Sequence, residues 1–197
     1  MLRGRVNRRL MTGVFFALGM IAGMFLITPR GMARQNGEKG LNVAVGDTLA
    51  PFMLRLYGGQ GEYVALRDFC GTPRKPWNAP PRRPVVISFF ANWCQPCRKE
   101  IPELEKQAKL WGDSVSVFLV SVGDKPEQIK SFLDEVPTTL PVLMDPYKAT
   151  STERYGISAL PTVFVIDKQS VVRYTATGFH EDSMKKLDGV IQKLLAK

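Results

Sequence analysis

Apolar residues along this chain fall into three kinds of run. The first is a long unbroken stretch, residues 10–27 (LMTGVFFALGMIAGMFLI), with no charged residue in it. The second kind is short and continuous: residues 85–90 (VVISFF) and 115–122 (VSVFLVSV). Such runs suit strands buried on both faces of a sheet. The third kind is periodic. Ile101, Leu104, Ala108 and Trp111 recur at helical spacing, which predicts a helix over 97–111 with Pro102 early enough to bend it. Residues 126–136 predict a second helix, with Pro126 suited to its first turn. A short helix is expected over 147–155, and an amphipathic one over 180–195. Two hairpins are expected as well. One joins 51–56 to 62–66 around Gly58-Gly59-Gln60-Gly61; the other joins 162–167 to 171–177 around Lys168-Gln169-Ser170. The order β-β-β-α-β-α-β-β-α describes an α/β fold: a mixed sheet flanked by helices, its helix-separated strands parallel through right-handed crossovers.

The segments between these runs set the domain plan. Arg3, Arg5, Arg8 and Arg9 precede the long apolar stretch. A membrane-spanning helix needs about 17–25 apolar residues, and the stretch reaches the lower part of that range. Basic residues on one flank orient such a helix with that flank in the cytoplasm. The expected plan is a basic cytoplasmic terminus over 1–9, a transmembrane anchor over 10–27, a polar Gly-rich linker over 28–42 and a folded domain over 43–197. That domain then faces the periplasm or its equivalent. A cleaved signal peptide is the second reading, because Gly31-Met32-Ala33 puts small residues where a signal peptidase cuts. Residues 70–84 hold five prolines in a span without periodicity and read as a loop. Their basic residues Arg74, Lys75, Arg82 and Arg83 read as a solvated insertion, with partner docking as the sharper option.

Charge changes this picture little. The net charge is +9 over 197 residues, and it is concentrated in residues 1–40. No basic stripe with interleaved aromatics follows, so nucleic acid is not an expected partner.

The cysteines change it more. There are three, with one histidine. A domain stapled by disulfides would usually carry more, in even number. Cys94 and Cys97 stand as C-x-x-C between a buried strand and a helix. Helix N-termini carry unpaired N–H groups and a partial positive charge, which stabilise a thiolate. The spacing also permits a disulfide. The expected chemistry is exchange: Cys94, nearer solvent at the helix tip, attacks a partner disulfide, and Cys97 resolves the mixed disulfide. The reverse sequence oxidises a dithiol. Three other readings of these cysteines stay open. Cys70, Cys94, Cys97 and His180 make a legal zinc set without the usual paired spacing. Haem attachment needs His where Arg98 stands. An inert disulfide would close too short a loop to stabilise much. His180 is otherwise an exposed residue at the start of the last helix, and Cys70 reads as an incidental thiol, with a regulatory disulfide to Cys94 or another chain as the minority reading.

Residues 85–100 (VVISFFANWCQPCRKE) and 156–162 (GISALPT) resemble the thioredoxin superfamily, in particular its TlpA/ResA-like branch of membrane-anchored extracytoplasmic thiol–disulfide oxidoreductases. The resemblance covers roughly residues 43–197. It implies a thioredoxin-like three-layer fold with an N-terminal β-hairpin extension. It implies catalytic Cys94 and Cys97, supported by Trp93, Pro96, Glu100, Leu160 and Pro161. Pro161 is implied to be cis, facing the disulfide, with the backbone beside Leu160 pairing with an extended client segment. Cytoplasmic thioredoxins carry a buried Asp on the strand where this chain has Ser88. Glu100 instead matches a branch carboxylate that accepts or returns the Cys97 proton; a solvated glutamate on the helix face is the alternative.

The function expected from all this is reduction of disulfides in extracytoplasmic proteins, with cytochrome c maturation as a process the resemblance suggests. Electrons would come from a membrane thiol donor. No cofactor or metal is expected beyond the redox-active cysteines, and no flavin or nicotinamide fingerprint is visible. Two alternatives stand beside it, a second enzyme and a module of another class. Gly46-Asp47-Thr48-Leu49-Ala50-Pro51-Phe52 loosely resembles the opening of peroxiredoxins, which are thiol peroxidases, but Ala91 stands where their peroxidatic site has Thr. A non-catalytic module that binds metal or a client is the other.

Overall fold

A computed structural model describes residues 41–73, 75–76 and 81–196. The predicted anchor at 10–27 and most of the predicted linker at 28–42 lie outside them. Among the described residues no helix is long and apolar enough to cross a membrane.

The strands are β1 (Met53–Leu56), β2 (Tyr63–Ala65), β3 (Val85–Phe90), β4 (Ser116–Val122), β5 (Val142–Asp145), β6 (Thr162–Ile166) and β7 (Val172–Thr177). The helices are α1 (Gln95–Trp111), α2 (Pro126–Glu135) and α3 (Ser183–Leu195). All seven strands form one sheet in the order β2-β1-β5-β4-β3-β6-β7. β3, β4 and β5 run parallel; the two hairpins flank them antiparallel.

Three expectations need correction. β5 was not expected. It is only four residues long, bracketed by Pro141 and Pro146, and so too short to show a period. It also carries the N-terminal hairpin, since β1 pairs with it through Arg55↔Met144 and Leu56↔Leu143. The short helix expected over 147–155 is a π-helical turn, Ala149–Arg154, whose backbone N–H groups at Thr150 and Ser151 are taken by the Asp145 carboxylate. The last helix begins at Ser183 rather than at His180, whose N–H instead donates to the Ser183 hydroxyl.

The pleat sorts each strand between two cores. On β3, Val86 and Phe90 face one core, while Val85, Ile87 and Phe89 face the other. The first core takes the buried residues of all three helices, among them Ile101 and Leu104, Ile129 and Phe132, and Leu187 and Ile191. That placement follows from topology. Two successive right-handed crossovers, β3 to β4 and β4 to β5, step in one direction across the sheet and leave α1 and α2 on one face. The second core is closed by Leu49, Phe52, Leu66 and Tyr155, with Tyr155, Phe89 and Phe164 meeting edge to face. Ser88 shares the parity of Val86 and Phe90, so the only hydroxyl of β3 is aimed at α1.

Candidate functional site

The C-terminal end of β3 delivers the chain into a tight turn, closed by the Cys94 N–H on the Ala91 carbonyl at 3.0 Å. α1 starts at once, with Pro96 in its first turn, a position where the missing N–H costs nothing. Cys94 is the N-cap. Its Sγ accepts from the Cys97 N–H at 3.2 Å, the place a serine or aspartate oxygen usually takes. Cys94 and Cys97 are joined in a disulfide, their Cα atoms 5.3 Å apart. The helix runs unbroken through Pro102.

Cys94 was expected to stand nearer solvent, but in the disulfide both residues are buried, at 1% and 0% exposure. Leu160 packs against the core cluster that contains both cysteines, while Trp93 beside them is 67% exposed. Pro161 follows a cis bond from Leu160, as the resemblance implied. It directly precedes the Thr162↔Phe89 pair, so it sits beside the end of β3 from which the cysteines emerge. Its carbonyl accepts from the Gly178 N–H. Leu160 stands beyond the last rung of the β6–β7 ladder, Thr162↔Thr177, which leaves it outside the sheet's own pairing.

Glu100 is no solvated helix-face residue. It is 1% exposed, and its Oε1 accepts from the Ser88 hydroxyl at 2.5 Å. Burial pushes its carboxyl up to about 7, and the Ser88 hydrogen bond only partly offsets this. Tyr174 on β7 is close enough for Glu100 to act on it. Burial, and after it the Glu100 charge, holds the Tyr174 phenol above its ordinary range. A carboxyl that changes charge near neutral pH can hold or release a proton under working conditions.

Glu105, further along α1, is also buried but behaves oppositely. Burial alone would raise it. The Thr138, Thr139 and Lys109 side chains and the Thr139 N–H overcome that and hold it down to about 2.

The four residues of the zinc reading do not come together. Cys70 lies in the second core, on the opposite face of the sheet from Cys94 and Cys97, and its thiol is free. Burial pushes it up to about 11, which keeps it protonated and unreactive. An intramolecular disulfide from Cys70 to Cys94 is thereby ruled out in this fold. No group of three or more metal-ligating side chains occurs among the described residues. In the Pro-rich loop, Arg82 and Arg83 donate to the carbonyls of Arg67 and Asp113, so both tether the loop to the domain.

Three residues of the site were not read from the sequence as participants: Ser88 as the partner of Glu100, and Asp124 and Arg98, which bond the backbone of the turn before Cys94. Ser88 had a visible signal, since both it and Glu100 stand at positions counted from Cys94. Asp124 had none.

A redox-active cysteine pair at a helix tip, set in this sheet, defines a thiol–disulfide oxidoreductase with a thioredoxin-like domain. The chain belongs to the AhpC/TSA family, whose model matches residues 45–175. It is 28% identical over 178 residues to the thioredoxin-like protein YneN of Bacillus subtilis, covering 85% of this chain and 96% of that one. It is 28% identical over 151 residues to the thiol-disulfide oxidoreductase ResA of Geobacillus thermodenitrificans, covering 75% and 79%. Among solved structures it resembles one from Chlorobium tepidum described as a thiol:disulfide interchange protein, DsbE. That match has a TM-score of 0.65 and 27% identity over 78% of this chain and 99% of that one.

Proposed function

We propose that this protein reduces disulfides in client proteins outside the cytoplasm, with Cys94 as nucleophile and Cys97 as resolving thiol. The observation that carries the reading is the Cys94–Cys97 pair capping α1, with a buried carboxyl near neutrality one turn away. The Cys94 thiolate attacks one sulfur of a client disulfide, and the other client sulfur leaves as a thiolate and takes a proton. Cys97 then loses its proton to Glu100 and attacks Cys94 Sγ. The client leaves as a dithiol, and the protein holds the Cys94–Cys97 disulfide, two electrons having passed to the client. The exposed Trp93 and the unpaired backbone at Leu160, next to Pro161, receive the client segment.

Residues 10–27 anchor the chain in the cytoplasmic membrane, with the catalytic domain on the periplasmic or equivalent side. A membrane thiol protein returns the dithiol to its reduced state. The basic cluster before the apolar stretch supports this topology, and the ResA relatives support a thiol-exchange role. Cytochrome c maturation is a fitting process, because haem attachment requires reduced cysteines in the acceptor.

Insulin reduction by the full chain tests the chemistry. The wild type accelerates it; Cys94→Ser abolishes the acceleration, and Cys97→Ser traps a mixed disulfide. A wild-type protein that neither opens a test disulfide nor closes a dithiol would falsify the reading. Peroxide consumption by the reduced protein separates it from the peroxidase alternative, which Ala91 disfavours. A reduction potential near that of strong oxidants, rather than in the thioredoxin range of about −270 mV, would reverse the direction of transfer.

A further inference from the structure

The turn that presents Cys94 is gripped from two sides, and both grips fall on the backbone of Asn92. Its N–H donates to Asp124 Oδ2 at 2.9 Å. Its carbonyl accepts from Arg98 Nη1 at 2.9 Å, and the same nitrogen lies 3.4 Å from the Cys94 carbonyl oxygen. Asp124 is buried, and its carboxylate is fixed to the end of β4 by the Ser121 hydroxyl at 2.7 Å. Arg98 is held at its far side by α2. Its Nε and Nη2 donate to Glu135 Oε2 at 3.1 and 3.0 Å, and its guanidinium carbon lies 4.8 Å from the centre of the Phe132 ring.

The charges around this turn make the arginine matter. Asp124 faces it from the loop after β4, Glu100 lies on the inner face of α1, and Glu135 stands at the end of α2. From the β6 side, Leu160, Pro161 and Thr162 bring no charge. Lys125, next to Asp124, points to solvent. Of these carboxyls, Asp124 bonds the Asn92 N–H and Glu135 bonds Arg98, and the Arg98 guanidinium is the cation hydrogen-bonded to the Cys94 backbone. The Arg98 side chain is only 22% exposed, so water screens its charge incompletely. The guanidinium reaches the turn through the Asn92 and Cys94 carbonyl oxygens, and in a partly buried setting a unit charge so placed changes a neighbouring thiol's pKa by about one unit.

We propose that Arg98, held by Phe132 and Glu135 of α2, is a positioning residue that fixes the Asn92–Cys94 turn and stabilises the Cys94 thiolate. Through it, α2 tunes the redox poise of the dithiol. The inference rests on the exchange reading above. Stabilising the thiolate favours the reduced protein over the disulfide, so Arg98 makes this protein a milder reductant than it would otherwise be.

The test uses the full chain and two readouts, the Cys94 titration followed by thiolate absorbance and the equilibrium with glutathione. Arg98→Met should raise the apparent Cys94 pKa by about one unit and shift the equilibrium several-fold toward the protein disulfide. Arg98→Lys should recover part of both changes, because the charge returns without the fork of donors. Lys130→Met removes a charge from α2 away from the turn and should move neither. A folded Arg98→Met that still reduces insulin, with both readouts unchanged, overturns the proposal. If that variant does not fold, Arg98→Lys and Glu135→Gln carry the test, and no shift in either overturns it. A wild type that exchanges with no disulfide overturns the exchange reading, and this inference with it.

Discussion

Glu100 and Glu105 stand on one helix, both nearly sealed from water, and titrate on opposite sides of the ordinary carboxylate range. The difference lies in their partners. Glu105 meets two threonine hydroxyls, a backbone N–H and an ammonium group, and its charge fastens the loop before β5 onto α1. Glu100 meets one hydroxyl from Ser88 and nothing cationic. Burial therefore does not tell a structural acid from a reactive one; the supply of donors does. The under-supplied carboxyl lies at the disulfide end of the helix and the well-supplied one away from it.

Four experiments sharpen or break this contrast. Glu105→Ala strands the Thr138 and Thr139 donors and should cost about 3 kcal/mol of stability in denaturant titration. Its insulin reduction, measured where it is folded, should stay within about twofold of wild type. A large loss of rate without a loss of stability would mean that the roles are wrongly divided. The second is a pH series of unfolding free energies. Glu100 binds its proton more tightly when folded, since its carboxyl is raised from 4.5 to about 7. The unfolded chain releases that proton first, so stability from this group falls as pH rises from about 4.5 to about 7, by about 2–3 kcal/mol. Glu105 has the opposite sign: its contribution is present above 4.5 and lost as pH falls toward 2. Glu100→Gln should flatten the first slope and leave the second; an unchanged slope near pH 6 would contradict the raised value.

Third, Glu100→Gln should slow insulin reduction at pH 7 by about tenfold or more, within the range of a lost proton-transfer group. It should also move the pH optimum upward, as Cys97 is left to ionise without help. A full rate with the original profile would return Glu100 to a packing role. The smallest effect belongs to Ser88→Ala. The Ser88 hydroxyl is what lowers Glu100, so its loss should push the carboxyl further up, by less than about one unit, readable by carboxyl NMR.

Much of the fold was legible because its central strands are unbroken apolar runs. Residues 85–90 and 115–122 have almost nothing polar to mislead a reader, and α1 announces itself through Ile101, Leu104 and Trp111. β5 was not legible. Four residues between prolines carry no period, and their burial comes from β4 and β1, distant in sequence. The cysteine pair and Pro161 stood out from spacing and resemblance. The solvent-side position read for Cys94 amounts to 1% exposure against 0% for Cys97 in the disulfide, because helix-tip position says nothing about what packs over it. The clamps on Asn92 were invisible for another reason: Asp124 is 32 positions from its partner, and Glu135 is 37 from Arg98. Only the folded sheet brings them together.

The sulfur that exchanges electrons is also the atom that begins its own helix. Where an ordinary cap offers an inert oxygen, α1 offers Cys94 Sγ to the Cys97 amide. A thiolate is a stronger acceptor than a disulfide sulfur, so each reduction should tighten the first turn of α1 and each oxidation loosen it. The state of the cysteine pair is thus written into the firmness of one helix start, where hydrogen exchange at the Cys97 amide can read it.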